Sequence, residues 1–108
     1  MKVIKTKHFP FGRYTTINLF GILFTKLDTL PEHVLNHEAI HTEQMKEMAY
    51  IFFYIWHAVE WLVLLVKYRE TFWAYYQLSF ELEARTNMHD TGYINERKHY
   101  AWAKYLNI

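Results

Sequence analysis

The sequence predicts an α+β fold, a small N-terminal antiparallel sheet followed by about four helices. Two observations carry this expectation. Up to Lys26 the chain is rich in Thr, Ile, Phe and Tyr, which suit a pleated, half-buried surface. From Asp28 onward, apolar residues recur at spacings of three and four, the period of a helix. The 108 residues suffice for one modest core, and 52% hydrophobic with 19% aromatic residues supply it, so one domain over 1–108 is expected.

Lys2 to Lys5 reads as a short strand, and His8-Phe9-Pro10-Phe11-Gly12 as a turn or loop. Tyr14 to Phe20 and Ile22 to Lys26 read as strands flanking Gly21, which marks a bulge or a turn. Asp28-Thr29-Leu30-Pro31-Glu32 resembles a helix start: Asp or Thr can cap, Pro fits the first turn, and Glu32 suits the positive end of the dipole. From there to about Met48 there is no Gly or Pro, and Val34, His37, His41 and Met48 fall on one stripe, with Glu43, Lys46 and Glu47 left to solvent. Ala49 to Tyr68 is strongly apolar, interrupted by His57 and Glu60, and reads as a helix buried in the core. The alternative is a helix on or partly in a membrane, with Trp56, Trp61 and Tyr68 near the headgroups. Thr71 to His89 reads as one further helix, and Tyr93 to Leu106 as an amphipathic one.

Within the first helix stands His37-Glu38-Ala39-Ile40-His41, the H-E-x-x-H zinc pattern. Residues four apart on a helix share a face, so the two imidazoles can hold one metal ion at about 2.0–2.1 Å. Glu38 lies beside the metal rather than on it, placed to take a proton from an activated water. Catalytic zinc takes three protein ligands, and with no cysteine in the chain the third is His, Asp or Glu. Phe80-Glu81-Leu82-Glu83-Ala84-Arg85 offers two carboxylates, Glu81 and Glu83. They lie about 200° apart on a helix, so only one can face the metal while the other pairs at the surface. Glu60, three residues from His57, is a candidate to pair with it or to accept the outer N–H of a metal-bound His.

His-Glu-x-x-His followed by a helical Glu-x-x-Ala resembles the gluzincin metallopeptidases, and within them the small soluble minigluzincins and the catalytic domains of membrane-embedded prenyl-protein and heat-shock metallopeptidases. The resemblance covers roughly positions 31 to 90. It implies a zincin-like active-site helix, Zn2+ held by His37, His41 and Glu81, and Glu38 as the general base of peptide-bond hydrolysis. In that group the second motif reads Glu-x-x-Ala-Asp, and its Asp supports the metal ligands; here Arg85 stands in its place. The resemblance also implies that a strand edge within 14–26 receives the substrate backbone, by a general mode of peptide recognition. For the donor that stabilises the oxyanion, Tyr93, Arg97, His99 and Tyr100 are the candidates.

A net charge of +1 gives no basic face for nucleic acid, and the absence of Cys excludes disulfides and thiolate metal sites. The basic start, Met1 to His8, lacks the apolar stretch of a secretory signal, so a cytoplasmic location is expected, with peripheral membrane contact as the variant. The expected partner is a peptide or protein substrate. The alternative function is a latent or inactive zinc-binding domain that binds a peptide, a partner or a membrane protein without cutting it.

Overall fold

The computed structural model describes residues 2–9 and 15–107. Three strands, β1 (Lys2–Lys5), β2 (Thr16–Leu19) and β3 (Ile22–Thr25), precede α1 (Glu32–Glu47), α2 (Ile51–Tyr68), α3 (Thr71–Tyr76), α4 (Ser79–Asn87) and α5 (Tyr93–Glu96), and a 3₁₀ turn at Ala101–Tyr105 follows. The architecture is α+β. The sheet is mixed rather than wholly antiparallel: β3 is central, antiparallel to β2 and parallel to β1. Of the loop expected at His8–Gly12, Pro10, Phe11 and Gly12 lie outside the described residues, as does Tyr14 of the expected strand.

Gly21 makes a turn. Leu19 pairs with Ile22, leaving a two-residue hairpin loop in which Phe20 (φ 54°) and Gly21 (φ 87°) both lie at positive φ. That backbone matches the twist of the flanking strands. Phe20 is held in it by donating its N–H to the Tyr54 hydroxyl at 3.0 Å and by ring contacts with Tyr50 and Tyr54.

Helix α1 begins at Glu32 with Pro31 in the capping position and no side-chain cap; Asp28 pairs instead with Lys5. It ends in a sharp reversal through Ala49 and Tyr50, both at positive φ. The stretch expected to be one helix over Thr71–His89 is two. Leu78 is extended (φ −57°, ψ 138°), which ends α3 and starts α4 in a new direction. Leu78 offers no cap. The carboxylate of Glu60, reaching across from α2, accepts the Ser79 N–H at 2.7 Å and the Ser79 hydroxyl at 2.6 Å, and also the Trp56 indole N–H at 3.0 Å. A side chain from another element thus satisfies the open donor at the start of α4. The bonds of Glu60 go to Trp56 and Ser79 rather than to His57, His37 or His41, contrary to both expectations.

These bonds set which side of α2 faces inward. Phe53, Glu60 and Leu64 are its buried residues, while Ile51, Phe52, Ile55, Val59, Leu62, Val63 and Val66 are exposed. The expectation of a core helix is therefore corrected: apolar composition does not say which arc of a helix meets a neighbour, and the Glu60 bonds turn that arc toward α4. The core forms around Met45, Phe53, Phe80 and Trp102, with Phe53 and Phe80 stacked at 4.4 Å, and a smaller cluster gathers Leu64, Ala74 and Leu78.

The C-terminal segment is also broken rather than one helix. Arg97 is extended and Tyr100 lies at positive φ between α5 and the 3₁₀ turn. The cause is a buried ion-pair cluster. Arg97 donates to Glu83 at 2.8 and 3.0 Å and to Glu47 at 3.1 Å twice, and Tyr93 donates its hydroxyl to Glu83 at 2.6 Å. The side chains of Glu83, Glu47 and Arg97 are 0%, 3% and 6% exposed, so Glu83 and Glu47 are not surface carboxylates. Burial disfavours the Glu83 charge, but bonds from Arg97, Tyr93 and Gln44 outweigh it and hold the carboxyl below its usual range.

Removing one member of such a cluster leaves charges buried and uncompensated. Arg97→Ala is expected to lower unfolding free energy by about 3–5 kcal/mol, read from the urea midpoint at unchanged slope. A loss under about 1 kcal/mol, the range of exposed ion pairs, would contradict the buried cluster.

Candidate metal centre

Helix α1 carries His37 and His41 on one face, their Nε2 atoms 3.2 Å apart and their rings edge to face. The first turn of α4 brings Glu81 to the same point. Its Oε1 lies 3.4 Å from His37 Nε2, and its Oε2 lies 2.8 Å from His41 Nε2. All three donor atoms fall within 4.8 Å of one another. Ligands on a tetrahedral zinc at about 2.0–2.1 Å stand about 3.3 Å apart, so the donor set and its spacing fit that ion. Two imidazoles and one carboxylate are also the chemistry of an open catalytic site rather than a closed structural one. The second carboxylate, Glu83, points into the Arg97 cluster, so the two glutamates divide as their helical phase requires.

The support around His41 comes from a residue the sequence reading did not single out. Gln44 Oε1 lies 2.8 Å from His41 Nδ1, and Gln44 Nε2 donates to the Phe80 carbonyl at 3.1 Å and to Glu83 Oε1 at 3.0 Å. Those two acceptors fix which end of the amide faces the ring. His41 Nδ1 must then carry its proton, leaving Nε2 to meet Glu81 or a metal. The signal was available: Gln44 follows His41 by three, hence on the same face. Tyr75 donates its hydroxyl to Glu81 Oε2 at 3.2 Å and braces the carboxylate. Arg85 supports none of this. It donates to the Tyr76 carbonyl at 2.7 Å and lies over the Tyr76 ring.

Glu38 lines a cavity of about 480 Å³ together with His41 and Glu81. The other walls are largely apolar: Ile17 and Leu19 of β2, Met45 of α1, and Phe53 and Tyr54 of α2. His57 and Tyr75 also line the cavity. Asn18 locks β2 against α1, donating to the Glu38 carbonyl and to Thr42 Oγ1, both at 3.0 Å, while its Oδ1 accepts the Gly21 N–H. Strand β2, an edge of the sheet, therefore runs beside Glu38. Alternation along β2 gave no hint that Asn18 points inward. The oxyanion donors expected in the C-terminal segment are elsewhere: Tyr93 and Arg97 serve Glu83, Tyr100 donates to the Glu47 carbonyl, and His99 is exposed near Glu47.

Charges in the cluster are strongly coupled. Burial disfavours the charged His41 ring, but Glu81 beside it prevails and raises the pKa to about 9. Burial likewise opposes the Glu81 charge, but His41 and His37 hold the carboxyl well below its usual value. Burial pushes the Glu38 carboxyl up against the opposing charges of His41 and His37. Burial lowers the His57 pKa, with Glu81 opposing. No protein-family model, curated protein or solved structure matches the chain.

The coupling predicts how stability of the metal-free protein varies with pH. His41 is raised from 6.5 to about 9, so its contribution is complete below 6.5 and is lost as pH rises through about 9. Glu81 is lowered from 4.5, so its contribution is complete above 4.5 and is lost as pH falls through its folded value. In chelator, melting temperature is expected to be highest between those limits and to fall toward pH 9, with His41→Gln removing the alkaline decline. A wild-type profile flat from 6.5 to 9 would contradict the ionised pair.

Proposed function

We propose that this chain is a zinc-dependent metallopeptidase that hydrolyses peptide bonds, similar in its ligand set to the gluzincins. The observation that carries this reading is the convergence of His37, His41 and Glu81 from two helices beside a cavity that Glu38 also lines. Metal removal rests on the same three residues, which would hold the ion. Zinc supplies, when bound, a lowered pKa for its water and polarisation of the carbonyl to be attacked.

The chain's own residues do the rest. Glu38 takes the proton from the attacking water and passes it to the leaving amine. Gln44 keeps the proton of His41 on Nδ1, and Tyr75 orients Glu81. The edge of β2, which pairs with β3 alone among the described strands, offers backbone hydrogen bonds to an extended peptide. The apolar walls from Ile17, Leu19, Met45 and Phe53 suit a large apolar substrate side chain. His57, which lines this cavity, replaces Tyr93, Arg97, His99 and Tyr100 as the donor available to a developing oxyanion. A second reading, a zinc-free polar cluster, is favoured by the 2.8 Å contact between His41 and Glu81, which satisfies both groups without an ion.

Elemental analysis separates the two readings. About one zinc per chain is expected in the wild type, strongly reduced in His41→Ala and in Glu81→Ala. Glu38→Gln is expected to keep the zinc and to lose peptide hydrolysis by about 10²–10⁴-fold, the usual scale of general-base catalysis. Absence of zinc after reconstitution would leave the polar cluster, and full activity in Glu38→Gln would remove Glu38 as the base.

A further inference from the structure

Helix α2 presents to solvent the kind of surface a helix normally buries. Nine of its positions are exposed, and eight of them are apolar; the ninth, Lys67, is at the C-terminal end. At about 100° per residue, the eight fall within an arc of about 140°. Phe52 is 61% exposed, Leu62 55% and Val66 76%, and no exposed side chain between Ile51 and Val66 can form a hydrogen bond. Phe20, 61% exposed at the hairpin tip and packed on Tyr54, adds an aromatic beside the N-terminal end. The helix is 18 residues long and apolar enough to cross a membrane by length and composition, yet only 17% of it is buried.

Three features decide what covers this face. A protein partner is met by a polar rim and about one hydrogen bond per 100–200 Å², and the face between Ile51 and Val66 has no group to supply them. Its C-terminal end instead carries the exposed Lys67 and Arg69 and the exposed ring of Trp73, basic and aromatic groups of the kind that lie at headgroup level. Lys67 donates to the Asn107 carbonyl at 2.7 Å, the neighbouring Glu70 carboxylate accepts the Trp73 backbone N–H, and Trp61 and Tyr68 are half-buried against Leu64, Ala74 and Leu78. The opposite side of α2 is committed to the protein: Glu60 is bonded to Ser79, and Phe53 and Leu64 sit in the core. Lipid can therefore meet α2 on one side only, which excludes spanning and leaves a helix lying along the surface.

We propose that the exposed arc of α2 docks on a bilayer containing anionic phospholipid, with Phe52, Ile55, Val59, Leu62 and Val66 in the boundary between headgroups and acyl chains and Lys67 and Arg69 on the phosphates. The docking does not require the metal, so it stands or falls apart from the peptidase reading. Because Tyr54 of the same helix lines the cavity, docking would bring the His37–His41–Glu81 site close to the membrane surface.

The test is co-sedimentation of the full chain with vesicles of phosphatidylcholine mixed with phosphatidylserine, against phosphatidylcholine alone. The wild type is expected to bind the mixed vesicles more tightly. V59E/L62E is expected to weaken binding at least about tenfold, or about 1.4 kcal/mol, with circular dichroism and melting unchanged. K67E/R69E is expected to abolish the preference for the anionic lipid. Since the chain has no Cys, V66C labelled with an environment-sensitive dye gives a second reading that leaves the fold alone: its emission should shift to the blue on vesicles. Binding undiminished in V59E/L62E, or an unshifted label, overturns the proposal. So does a wild type that ignores vesicles, whether it sediments as a monomer or as a dimer that V59E/L62E dissociates; the dimer would make the face a seam between two copies.

Discussion

One buried carboxylate organises this molecule. Glu60 reaches from the middle of α2 to the first residue of α4 and accepts both the backbone N–H and the hydroxyl of Ser79. An unpaired carboxylate in that position would cost several kcal/mol, so every arrangement that keeps Glu60 buried must keep Ser79 against it. Two consequences follow from a single bond set. Helix α4 starts where it does, with Glu81 in its first turn facing His37 and His41. Helix α2 is held with its polar notch inward and its apolar arc outward.

A second polar network works from the other side of the candidate metal centre. The chain of bonds runs from His41 through Gln44 to Glu83, Arg97 and Glu47. It ties the last third of the protein to the orientation of one imidazole. Among the described residues none beyond Glu81 lines the cavity, yet the segments near the C-terminus fix the amide that fixes the ring. A substitution in α5 can thus act on His41 without approaching it, through a packed and hydrogen-bonded path of four side chains. Gln44, backed by Glu83, holds the His41 ring and Tyr75 holds the Glu81 carboxylate, while Arg85 stacks on Tyr76.

The distribution of apolar surface follows from the same constraints. The chain is rich in aromatic residues, and several large ones are inside: Phe53, Phe80 and Trp102 meet around Met45. With the sheet on one side of α1 and α4 on the other, no element of the described structure is left to cover the outer arc of α2. The cavity beside Glu38 is apolar for a related reason. It forms where the sheet edge β2 meets α1 and the first turns of α2, and the side chains those elements present there are Ile17, Leu19, Met45 and Phe53.

Much of this was legible beforehand. The α+β class, the span of α1 and the shared face of His37 and His41 are local properties: helical period, the absence of Gly and Pro, and a spacing of four dictate them whatever surrounds the helix. The separation of Glu81 from Glu83 was local as well, since a helix turns two neighbouring alternate residues to opposite sides. What lay beyond the sequence were the relations between distant groups. Leu78 breaks an otherwise uninterrupted helical pattern because Glu60, nineteen residues before Ser79, caps the new start. Arg97 interrupts another because two carboxylates from α1 and α4 draw it inward. The parallel pairing of β1 with β3 leaves no trace in the composition of either strand. The residue types and their spacing determined which groups could bind a metal and on which face of α1 they stand. Only the tertiary structure decided which carboxylate stands beside His37 and His41 and which side of α2 meets solvent, because buried charges must find their partners wherever in the chain those partners lie.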